Sequence, residues 1–146
     1  MMYDASLPWR DITGQGFHAL LGPIQIAEMP DGTMPFALLL DDRHTNANGV
    51  CHGGVMMSVA DSAMGSCAFH AARNPVATVD FECDFLAAGR IGDRLHGIAK
   101  IARKARNIIF MESDLYSNDR RVMRASGIWA ILPENSRARD MSKIKP

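Results

Sequence analysis

The chain has no charge of either sign to spare: 16 basic and 16 acidic side chains cancel over 146 residues. That balance argues against nucleic acid or an anionic membrane surface as the main partner, since each would be met by a basic excess. Cysteine is scarce. Cys51, Cys67 and Cys83 are odd in number and form no CxxC pair, which points to a reducing cytoplasm rather than secretion. The opening MMYDASLPWRD lacks both a basic segment and an apolar run, so no signal peptide is expected there. Internal repeats, low-complexity tracts and interdomain linkers are also missing, which leaves one domain over residues 1–146 as the simplest organisation. Only residues 52–72 approach membrane-spanning length, and their Gly, Ser, Asp and His residues make a poor lipid-facing segment. The expectation is a soluble cytoplasmic protein with no nucleic-acid or membrane partner.

What the chain does have is that same stretch, 52–72, in which Asp61 is the only formally charged side chain. Val55, Met56, Val59, Ala60, Ala63, Met64, Cys67, Ala68 and Ala71 recur at three- and four-residue steps, which predicts a helix. Met57 and Phe69 add apolar surface elsewhere on the wheel. A helix apolar almost all round is normally buried, so the rest of the domain is expected to wrap it. At 1.5 Å per residue it would be roughly 30 Å long. A lone carboxylate in its middle is costly to bury unless paired or hydrogen-bonded, and that cost singles out Asp61.

In chain order, residues 4–21 read as a short amphipathic helical lead-in, with Trp9, Ile12, Phe17, Leu20 and Leu21 on its apolar side and Gly22-Pro23 as its stop. Residues 23–29 and 34–41 read as strands joined through Pro30-Asp31-Gly32-Thr33, a turn in which Pro presets φ and Gly tolerates positive φ. A polar Asn- and Gly-rich loop then leads to the helix. After Asn74-Pro75, residues 76–85 alternate: Ala77, Val79, Phe81, Cys83 and Phe85 are expected on the buried face, Val76, Thr78, Asp80, Glu82 and Asp84 on the other. Residues 93–103, 106–117 and 121–132 follow as strands, and the tail 133–146 is polar. The order β-β-α-β-β-β-β with short connections predicts an α+β domain, one long helix against one antiparallel sheet.

The stretch His44-x-Asn46-x-x-Gly49-x-x-His52-Gly53-Gly54, followed by Asp61, resembles hotdog-fold acyl-CoA thioesterases. The likeness is to the phenylacetic-acid-degradation type within the 4-hydroxybenzoyl-CoA thioesterase superfamily, and it covers roughly residues 20–132. Where that family usually has an aliphatic residue before the His, this chain has Cys51. The resemblance implies a sheet wrapped around the helix and a homodimer, further paired as a dimer of dimers. It also implies an active site across the dimer interface, with Asn46 and the Gly53 backbone N–H from one subunit and Asp61 and Thr78 from the other.

Each residue has a chemical reading and a plainer one. Gly53 and Gly54 open the helix, where free N–H groups and missing Cβ atoms suit an oxyanion hole; they equally suit a tight loop-to-helix turn. Asp61 could act as general base or as nucleophile, or could be a satisfied core carboxylate bonded to backbone, Ser58 or Ser62. Asn46 could orient water or polarise the thioester, or serve an Asx turn. Thr78 could bond water or Asp61, or simply favour a strand. His52 at the junction could be a base, though tying down the loop is the favoured role; with Gly54 it is placed beside the substrate. His44, Cys51 and His52 match no standard zinc spacing, so no metal is expected. Arg90, Arg103, Lys104 and Arg106 lie near two strand connections and could pair with coenzyme A phosphates, or be solvated basic turns. The family uses the segments matching 85–90 and 103–108 for the coenzyme, which adds Asn107. Met56, Met57, Met64 and Met111 read as core.

The expected function is hydrolysis of an acyl-CoA to a free acid and coenzyme A, with no cofactor beyond the coenzyme carried by the substrate. The alternatives are a hotdog acyl dehydratase or hydratase, which would need a His with an acid near the helix, and a non-catalytic acyl-CoA-binding module.

Overall fold

A 20-residue helix at Gly53–Ala72 crosses one face of a seven-stranded sheet in the computed structural model, which describes residues 2–12 and 16–134. The chain order is β1 (Arg10–Asp11), α1 (Phe17–Leu21), β2 (Gln25–Ile26), β3 (Met34–Leu39), a 3-10 turn at Asp42–His44, α2 (Gly53–Ala72), β4 (Val76–Phe85), β5 (Arg94–Lys104), β6 (Ile108–Ser117) and β7 (Arg120–Ile131). All pairings are antiparallel, in the spatial order β1-β2-β3-β5-β6-β7-β4. The expected α+β class, central helix and strand sequence from residue 76 onward stand as read.

The helix is bounded by local chemistry. The His52 imidazole caps its start, Nδ1 accepting from the Gly54 N–H at 2.9 Å. At the far end Arg73 takes a left-handed conformation (φ 58) and Asn74-Pro75 bars another turn. Val55, Met56, Val59, Ala60, Ala63, Met64, Cys67 and Ala68 are buried against the sheet in one cluster with Phe36, Leu95, Met111, Leu115 and Trp129. No helix of the described residues is long and apolar enough to cross a membrane.

Four expectations are corrected. The lead-in is not a helix over 4–21: residues 10–11 form β1, helix is confined to Phe17–Leu21, and Phe17 and Leu20 are exposed. Pro8 and Gly16 (φ 71) interrupt the helical run, and β1 instead pairs with β2. The first two strands are shorter than read, although their hairpin keeps Gly32 at φ 83. The helix is not covered all round; the side bearing Met57, Ser58, Asp61, Ser62, Gly65 and Ser66 is only partly covered or exposed.

The fourth correction reshapes the site. β4 does not alternate throughout, because a bulge at Val79 shifts its register against β7 between Thr78 and Asp80. One extra residue inverts the facing of everything before it. Val76 and Thr78 therefore turn toward α2, Val79 is thrown outward at 65% exposure, and Phe81 and Cys83 pack on the core. β4 is also the sheet edge. Its outer side has no partner among the described residues, and Val79, Phe85 and Leu86 leave it apolar and exposed. Of the tail 133–146, residues 135–146 lie outside the described residues.

Candidate active site

Asp61 and Thr78 meet. The Thr78 hydroxyl donates to Asp61 Oδ1 at 2.7 Å, a contact made geometrically by the Val79 bulge. Asp61 is half-buried, not sealed in the core, and its plainer partners are otherwise engaged: Ser58 donates to the Gly54 carbonyl and Ser62 pairs with His18. The pair opens on a cavity of about 520 Å³ lined by Ile12, His18, Gly65, Phe69 and Trp129 among others. One hydroxyl donor on Oδ1 orients the carboxylate, and Oδ2, with no donor among the described residues, can take a proton from water or attack an acyl carbon.

The second group of site residues lies at the helix start. The Gly54 N–H is taken by the His52 cap, so Gly54 is not an open donor and His52 Nδ1 is committed to the loop-holding role. The Gly53 N–H has no acceptor among the described residues, and the Phe85 ring of β4 stands where a Cβ would come within 3.1 Å of it. Glycine is needed there for close packing as well as for access. Asn46 Oδ1 accepts from the backbone of Asn48 (2.9 Å) and Val50 (3.3 Å), the Asx-turn use; its amide nitrogen has no acceptor among the described residues. The loop is further pinned by His44, whose Nδ1 accepts from the Asp41 N–H and whose Nε2 bonds the Leu21 carbonyl.

Within one chain these two groups do not meet. Gly53 and Asp61 are eight residues apart on α2, about 12 Å along its axis, whereas a reacting carbonyl must touch both at about 3 Å.

The cations also separate. Arg90 lies in the loop beside Gly89, whose carbonyl accepts from Cys51 at the start of α2. Arg103, Lys104, Arg106 and Asn107 sit at the opposite end, since β5 runs the length of the sheet between the two sets. Lys104 Nζ donates to the Ala71 carbonyl at 2.6 Å and so neutralises the last turn of α2, a structural role. Arg103 and Arg106 are exposed.

Burial pushes the Cys51 and Cys67 thiols up to about 11, so neither supplies a thiolate nucleophile at neutral pH. Among the described residues no group of His, Cys, Asp and Glu is gathered as metal ligands would be. Sequence reasoning missed His18, Ser62 and Trp129. His18 Nε2 lies 2.8 Å from Ser62 Oγ, a contact between residues 44 apart that no local pattern could signal.

Residues 48–124 match the family described as Thioesterase superfamily (4HBT). The chain belongs to that superfamily. A putative esterase of Pseudomonas aeruginosa is 31% identical over 112 residues, 75% of this chain and 84% of the relative. Two solved structures are alike in fold. The Escherichia coli PaaI protein of the phenylacetic acid degradation operon superposes with a TM-score of 0.74 at 21% identity, covering 80% of this chain and 84% of that one. A hypothetical thioesterase protein of Streptococcus pneumoniae, solved with coenzyme A, gives a TM-score of 0.71 at 20% identity, covering 76% of this chain and 87% of that one. The helix-on-sheet arrangement is the hotdog fold of these thioesterases.

Proposed function

We propose that this thioesterase-superfamily member hydrolyses acyl-CoA thioesters at a site completed by a second copy of the chain. The carrying observation is that Gly53 and Asp61, the latter held by Thr78, lie eight residues apart on one helix, about 12 Å along its axis. The apolar outer edge of β4, unpaired among the described residues, supports closure through that strand. An open edge of ten residues is an aggregation hazard unless something pairs with it. Pairing with the β4 of a second copy about a two-fold axis is antiparallel. It sets the Phe85 end of one strand, with Gly53 packed on it, against the Val76–Thr78 end of the other.

In that arrangement Asp61 takes a proton from the water that attacks the acyl carbon, or attacks that carbon itself to give an anhydride that water then opens; on either route the carbon–sulfur bond breaks and coenzyme A leaves as its thiol. The Gly53 N–H of the second copy receives the developing oxyanion, helped by the positive end of its helix. The free Asn46 amide donates to the thioester or to the attacking water. The dehydratase and hydratase reading is less favoured because His52 Nδ1 is engaged as the helix cap. The coenzyme A bound in the S. pneumoniae thioesterase supports the choice of thioester.

The two-fold also brings the far end of one α2 to the near end of the other, so that Arg90 of one copy and Arg103 and Arg106 of the second flank one site. Arg103→Ala with Arg106→Ala is expected to raise KM for acyl-CoA roughly fivefold to tenfold at nearly unchanged kcat, because the coenzyme phosphates are remote from the reacting carbon. A short acyl thioester without the nucleotide should be hydrolysed as before. Equal losses on both substrates would mean that these arginines support the fold. Lys104 is left in place because it holds the end of α2.

The reading itself is tested by thiol release from a panel of acyl-CoAs. Turnover that scales with protein is expected; acyl-CoA that binds and is not consumed would make this a binding module.

A further inference from the structure

Trp129 is 1% exposed, yet its indole forms part of the cavity wall beside Asp61. A buried indole N–H normally finds an acceptor. Here none of the described residues accepts from it, and the nitrogen is not sealed in: it faces the notch over Gly65, where a Cβ would stand 3.2 Å from Nε1. Several polar side chains around it are already bonded. Ser66 Oγ donates to the Ser62 carbonyl at 2.8 Å, Ser62 Oγ pairs with His18, and Arg10 donates to Glu28 at the rim. Ile12, Ile26, Phe69 and Val76 make the remaining wall apolar. Between those apolar walls the cavity sets the Asp61 carboxylate near a buried indole N–H that donates to none of the described residues.

Position fixes what that donor can meet. Gly65 is one helical turn beyond Asp61 on the same face of α2, about 6 Å away along the axis. Trp129 is paired directly with Thr78 across β4 and β7. An acyl group whose thioester carbon rests at Asp61 runs past the indole roughly one turn further on.

We infer, resting on the hydrolase reading above, that Trp129 is a specificity determinant: its N–H selects acyl groups bearing an acceptor oxygen about 6 Å from the thioester carbon, and Gly65 keeps that N–H uncovered. A site that offers a hydrogen bond discriminates against the analogue lacking the partner, because the donor is then left dry.

The test compares 5-oxohexanoyl-CoA with hexanoyl-CoA, a pair differing by one acceptor-only oxygen. The wild-type ratio of kcat/KM is expected to favour the oxo substrate by about tenfold or more. Trp129→Phe keeps the ring and loses the N–H, and should bring the ratio close to one. Gly65→Ala keeps the indole, covers the nitrogen, and should do the same. A ratio unchanged in Trp129→Phe overturns the inference. A readout independent of turnover is the indole N–H resonance in NMR. The chain has two tryptophans, so the signal missing from Trp129→Phe is assigned. 5-Oxohexanoate should move it and hexanoate should not; a signal that neither acid moves overturns the inference. If the wild type releases no thiol from either ester, the hydrolase reading fails, and the NMR titration alone decides whether the donor reads an acceptor oxygen.

Discussion

Asp61→Asn is expected to preserve the fold and lower kcat on acyl-CoA by about 10²-fold or more. The amide is nearly isosteric with the carboxylate, and its Oδ1 can still accept from the Thr78 hydroxyl, so the 2.7 Å contact that positions the side chain survives. Asp61 is half-buried at a cavity mouth rather than locked in the core, so a small change in polarity there should cost little stability. What the amide loses is the capacity to take a proton from water or to form a bond to the acyl carbon. Steady-state kinetics read beside a thermal melt separate the two effects. Wild-type turnover in a folded Asp61→Asn protein would remove Asp61 from the chemistry.

The second large effect is on stability. Gly97→Ala should cost about 3 kcal/mol, a fall in Tm of roughly 10 °C for a domain of this size. Gly97 lies within β5, opposite Phe36 on β3 and Leu115 on β6. A Cβ there would come 2.3 Å from the Asp114 carbonyl oxygen and 2.6 Å from the Phe36 ring. The carbonyl belongs to the backbone of a central strand and cannot swing aside. Relief requires β5 and β6 to separate at the middle of the sheet, beneath the helix that carries Asp61. A melt within 2 °C or so of wild type would show that the sheet gives more easily than its register allows.

Much of this could be read in the sequence, for identifiable reasons. The helix over Gly53–Ala72 was legible because its apolar spacing is long and uninterrupted, and because Asn74-Pro75 and the His52 cap mark its ends locally. Strands β4 to β7 were legible from turn residues between β-forming runs. The lead-in was misread because an apolar spacing over 4–21 looks helical, while pairing of β1 with β2 is a contact between residues about fifteen apart. Thr78 was set on the wrong face of its strand. A bulge at Val79 has no signature in an alternating pattern, and it alone turns Thr78 toward Asp61. The pairing of Asp61 with Thr78 was anticipated through the resemblance and not through periodicity. His18 and Trp129 were invisible as site residues because each reaches the cavity from a remote segment.

The central claim, a site assembled from two copies, is tested most directly by complementation. Asp61→Asn and Asn46→Ala chains are each expected to be inactive as pure proteins. They are co-expressed with different affinity tags, and the mixed species is purified through both. In a mixed dimer one site receives Asp61 from one chain and Asn46 with Gly53 from the other, and is intact; its twin carries both lesions. The account predicts about half the wild-type activity per dimer, as one intact site of two related by the two-fold requires. A mixed species as inactive as its parents would contradict the account and place the whole site within one chain.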